Sequence, residues 1–168
     1  RCRGDRQNLN NELNKIENFS KTRKNIKFDE ILKLTNLAEN YNVSELIDSC
    51  LIKNHKKTIN ILKENNYSID DCFLIIRTLL IKSKRLFELK KKIKNNTNID
   101  DVISSFKPPI FWKDKENVKI QIKNWSLQSI ENLIYNCTDL ELLIKKNSVN
   151  SLNILSDFLI NKSKKINN

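Results

Sequence analysis

The chain has 168 residues, 31 Lys+Arg against 20 Asp+Glu for a formal net charge of +11, 39% hydrophobic residues and a single glycine, Gly4. A P-loop and a dinucleotide fingerprint each need several glycines at fixed spacing, so nucleotide binding through a glycine-rich loop is excluded and no cofactor is expected. No stretch has the apolar length of a membrane span, and Arg1-Cys2-Arg3-Gly4-Asp5-Arg6 lacks the apolar core of a signal peptide, so a cytoplasmic protein without a membrane partner is expected.

Residue 1 is not Met, and helical patterning begins almost at once, which points to a missing upstream segment. The chain holds 25 Lys, 26 Asn and 23 Ile against a single Ala, Ala38. These abundant residues have A- and T-rich codons, so part of the positive charge reflects codon drift.

Apolar residues recur three and four apart almost throughout, and the alternation of strands is missing, so an all-α chain is predicted. A first helix over about Arg6 to Phe19 carries Leu9, Leu13 and Ile16 on one face, and a short one follows near Phe28 to Leu34. Asn42 is placed to cap a third helix running to about Lys53, with Glu45 completing a capping box and Tyr41 stapling onto Leu46. A fourth, near Lys56 to Glu64, presents Ile59 and Leu62. The fifth starts at a Ser68 cap with Asp71 as its reciprocal acid and Tyr67 set against Cys72, and reaches about Lys94.

After the polar break Asn95-Asn96-Thr97-Asn98, a short helix carries Val102 and Ile103 and ends before Lys107-Pro108-Pro109, because each proline disfavours helix in the residue before it. Ile110, Phe111 and Trp112 are expected to seal the bundle end as an apolar plug. A seventh helix covers about Lys113 to Lys123. Ser126 caps an eighth, with Trp125 and Ile130 in staple positions and Leu127, Ile130, Ile134, Cys137 and Ile144 along one side. A last helix spans about Val149 to Ile160, before a polar tail from Ser163 to Asn168. The polar link Asn65-Asn66 divides the chain into residues 1–66, a bundle of short helices, and residues 67–168, a bundle of longer ones.

Cys2, Cys50, Cys72 and Cys137 contain no CxxC, and His55 is the one imidazole, so no metal site is expected. Cys50, Cys72 and Cys137 lie on apolar stripes and read as small buried hydrophobes of a reducing compartment. His55, in a polar link, reads as a solvated helix-start residue. Asp70-Asp71 and Asp100-Asp101 fall in first helical turns, where acids complement the dipole. No catalytic set emerges, and the chain is not expected to be an enzyme by itself.

The densest basic stretch holds Lys82, Lys84, Arg85, Lys90, Lys91, Lys92 and Lys94 against Glu88, with Leu86, Leu89 and Ile93 as its buried stripe. Such cations suit a solvated helix C-terminus, which the macrodipole favours. The alternative is a nucleic-acid-binding module in which Lys82, Arg85, Lys90, Lys91, Lys92 and Lys94 contact phosphates. Trp112 and Trp125 are assigned to packing, with base stacking as the alternative.

Gly4-Asp5-Arg6, Leu9, Asn11-Glu12-Leu13 and Lys15-Ile16 resemble the opening of the lid domain in clamp-loader AAA+ subunits. Ile26 through Leu34, Asn36-Leu37-Ala38, Leu46-Ile47-Asp48, Cys50-Leu51, Ile59 through Leu62, Ile76-Arg77-Thr78-Leu79, Leu86, Leu89-Lys90, Pro108 through Lys113 and Trp125-Ser126-Leu127 resemble the delta subunits of the bacterial DNA polymerase III clamp loader. The resemblance covers nearly the whole chain and consists of helical packing patterns.

It implies that residues 1–66 are an AAA+ lid-like helical domain and residues 67–168 a C-terminal helical collar, or oligomerisation, domain, with the AAA+ module that grips the sliding clamp lying upstream. It implies a non-catalytic subunit of a bacterial DNA-directed DNA polymerase holoenzyme, helping to load the sliding clamp onto DNA during replication. Its partners would be the other clamp-loader subunits in a hetero-oligomeric ring, the clamp through the upstream module, and DNA indirectly or weakly. Gln7 stands where ATP-binding relatives carry a lid arginine, in keeping with delta subunits, which do not bind ATP; Arg6 is adjacent. Residues 95–168 hold 10 Lys against 8 Asp+Glu, close to neutral for a chain of +11, which suits a protein interface better than a DNA-gripping surface. Exposed Leu142, Leu143, Phe158 and Leu159 on the last two helices are the expected subunit contacts.

Overall fold

A computed structural model describes residues 6–21, 25–34, 37–65, 67–93 and 98–164. They form nine α-helices and no strand: α1 Arg6–Lys21, α2 Phe28–Leu34, α3 Leu37–Leu51, α4 His55–Glu64, α5 Ile69–Lys92, α6 Ile99–Ser104, α7 Lys115–Asn124, α8 Leu127–Lys146 and α9 Ser151–Ser163. Short 3-10 turns at Trp112–Asp114 and Ser148–Asn150 lead into α7 and α9. No helix among the described residues is long and apolar enough to cross a membrane.

The chain forms two compact units, Arg1–Asn42 and Val43–Asn168. In the first, α1 lies against the seven-residue α2. So short a neighbour leaves Leu13 exposed and Ile16 half-buried, although both are placed on one apolar face by the sequence.

The second unit has one continuous core. Val43, Leu46, Ile47, Cys50 and Leu51 of α3 and Ile61 of α4 join the buried residues of α5, α8 and α9, so the division expected at Asn65-Asn66 is not where the structure divides. The Cys50 thiol donates to the Leu159 carbonyl at 3.5 Å across that supposed boundary. The reason is geometric: two helices by themselves cannot enclose their apolar sides, and α5, α8 and α9 cover those of α3 and α4. At the centre is α5, which buries Cys72, Ile75, Ile76, Leu79, Leu86 and Leu89. Against it runs α8 through Ile130, Leu133, Cys137, Leu140 and Ile144.

The caps of α5 and α8 are as the sequence places them. The Ser68 hydroxyl accepts from the Asp71 amide at 3.2 Å while the Asp71 carboxylate accepts from the Ser68 amide at 2.7 Å. The Ser126 hydroxyl accepts from the Ser129 amide at 3.2 Å. The third helix differs, because Leu37-Ala38-Glu39 already propagates it and Asn42 lies inside it, not at its cap. Glu45, freed from a capping role, pairs with Lys57 at 2.7 Å. Asn54 caps α4, whose buried side chains are Thr58 and Ile61, while Ile59 and Leu62 are half-buried. Similarly α9 starts at Ser151 and runs to Ser163.

Candidate interaction surfaces

The basic half of α5 does not present its cations as one track. The Lys82 ammonium is turned inward, donating to the Asp48 carboxylate at 2.6 Å, the Ser44 hydroxyl at 2.8 Å and the Ser44 carbonyl at 3.2 Å. Gln121 of α7 donates to the other Asp48 oxygen at 3.1 Å, so one carboxylate ties α3, α5 and α7 together. Burial pushes the Lys82 pKa below its ordinary value, with Asp48 opposing that shift. Lys90 donates to the Ile122 carbonyl at 2.7 Å, in the last turn of α7, where an orphan carbonyl needs a donor.

Lys91 lies over the Phe87 ring at 4.9 Å and Lys92 over the Phe106 ring at 5.2 Å, although both residues are exposed. Arg85 is half-buried. Lys94 lies outside the described residues. Of the cations expected to contact phosphates, Lys82 and Lys90 therefore hold the fold together, a role that charge counting along the sequence could not reveal.

Two tryptophans with similar sequence surroundings have opposite fates. Trp125 is 4% exposed, and its indole nitrogen donates to the Leu51 carbonyl at 2.7 Å, closing the end of α3 onto the start of α8. Trp112 is 68% exposed and Phe111 is exposed beside it, their ring centroids 5.8 Å apart. Only Ile110 of the expected plug is buried. A 3-10 turn begins at Trp112 and turns the two larger rings away from the core, and the Lys113 ammonium sits 5.3 Å from the Trp112 centroid.

The four expected interface residues also separate. Leu142 and Leu143 are exposed, at 54% and 46%. Leu159 is fully buried and Phe158 is half-buried against the core. Helical geometry explains the correction: α9 buries Ser151, Leu155, Leu159 and Ser163 at intervals of four, so Leu159 belongs to its inward stripe. Tyr135 and Val149 are exposed apolar residues that the sequence did not single out as contacts.

Nothing among the described residues gathers three His, Cys, Asp or Glu side chains that could hold a metal ion. Cys50, Cys72 and Cys137 are free and buried, and Cys2 lies outside the described residues. Burial pushes the Cys50 and Cys137 thiols up to about 12, so these are packed side chains and not nucleophiles. His55 is not simply solvated: its Nδ1 is 2.9 Å from the hydroxyl of the buried Ser163. That hydroxyl already donates to the Ile160 carbonyl at 2.7 Å, which leaves it accepting from His55 and orients the ring. No family model, curated protein or solved structure matches the chain.

Proposed function

We propose that the chain is a non-catalytic assembly subunit, the lid and collar portion of a clamp-loader delta subunit, working in the cytoplasm of a bacterium. Its helical body meets neighbouring subunits of a ring that holds the sliding clamp for loading onto DNA. The observation that supports this proposal is that Leu142 and Leu143, with Phe111, Trp112, Tyr135 and Val149, are exposed, as are Ile69, Leu74 and Ile81 on α5, while Lys82 and Lys90 are engaged inside the fold. Exposed aromatic and aliphatic groups on a segment with little excess charge suit a protein contact.

The test is assembly. Leu142→Asp with Leu143→Asp is expected to abolish co-purification with the other clamp-loader subunits while the far-UV circular dichroism of the chain is unchanged. Assembly that survives this double substitution would remove the basis for the collar assignment.

A direct nucleic-acid contact is the second possibility, and the exposure of Trp112 beside Lys113 favours it, since an open indole flanked by a cation can stack on an unpaired base. It requires that a single-stranded oligonucleotide quench the tryptophan fluorescence in a salt-sensitive titration and that Trp112→Ala abolish the response. A titration without quenching excludes it.

A further inference from the structure

We draw no further inference here: the strongest candidate, the exposed Phe111–Trp112 aromatic pair beside Lys113 at the turn leading into α7, belongs to the surface already described as the second possibility, a nucleic-acid contact.

Discussion

The Lys53 ammonium lies 3.6 Å from the centroid of the Trp125 ring and donates to the Lys162 carbonyl at 2.6 Å, so one side chain joins the end of α3 to the start of α8 and the end of α9. Its backbone is unusual too. Lys53 has φ 62, and the bonds Lys53 N–H to Cys50 O and Asn54 N–H to Ser49 O close a Schellman turn at a position that glycine usually fills. Burial lowers the Lys53 pKa from its ordinary value. A lysine is kept in a left-handed conformation because its side chain makes contacts that glycine cannot.

Substitution at Lys53 therefore separates backbone from side chain. Lys53→Gly and Lys53→Ala both lose the ring and carbonyl contacts, but alanine also keeps the left-handed strain, about 1 kcal/mol or more. Urea unfolding should rank the parent chain above Lys53→Gly and Lys53→Ala lowest. An alanine variant as stable as the glycine one would show that the turn carries no strain.

The two tryptophans should respond oppositely. Trp125→Ala is expected to cost about 3 kcal/mol or more, as large aromatic deletions from cores do, and Trp125→Phe about 1 kcal/mol for the lost donor to Leu51. Trp112→Ala should change stability by less than about 0.5 kcal/mol. Iodide quenching gives a direct check, since the accessible emission should disappear in Trp112→Ala and persist in Trp125→Phe.

Lys82 and Asp48 should behave as a coupled pair. Their side chains are only 12% and 14% exposed, so Lys82→Met or Asp48→Ala strands a partly buried charge and is expected to cost about 3 kcal/mol. The double variant should cost clearly less than the sum. Additive losses in a double-mutant cycle would show that the pair is not coupled.

Alkaline pH should destabilise the fold through its thiols. Cys50 and Cys137 stay protonated in the folded chain up to about 12 from an ordinary value of 9.0, so above pH 9 the unfolded chain binds fewer protons and stability falls as pH rises. The loss is up to about 1.4 kcal/mol per pH unit for each thiol. Lys53 and Lys82 work in the opposite direction, because their lowered values make the unfolded chain the better proton binder below 10.5. The thiol part is isolated by comparison with Cys50→Ala, whose stability should fall less steeply between pH 9 and 10. Identical slopes would show that Cys50 is not protected.

Much of the helical layout was legible because its signals are local. A cap such as Ser68 with Asp71, or Ser126 before α8, is satisfied by amides two or three residues away, and the prolines at 108 and 109 act on their own neighbours. The inward stripe of α5 through Leu86 and Leu89 follows from spacing alone. Asn42 misled for the same reason in reverse: a good capping residue does not stop a helix whose preceding residues already propagate it.

The chain alone settled that it is helical, where α5 and α8 start, and that Cys50, Cys72 and Cys137 are buried, since composition, caps and period act over a few residues. It could not settle whether Leu159 or Phe158 points inward, whether Lys82 faces solvent or Asp48, or which tryptophan is enclosed. Those outcomes depend on partners far along the chain, such as Asp48 for Lys82, Leu51 for Trp125 and Cys50 for Leu159. The same distance dependence joins α3 and α4 to the core of α5, α8 and α9, because an amphipathic helix buries its apolar face only against other elements.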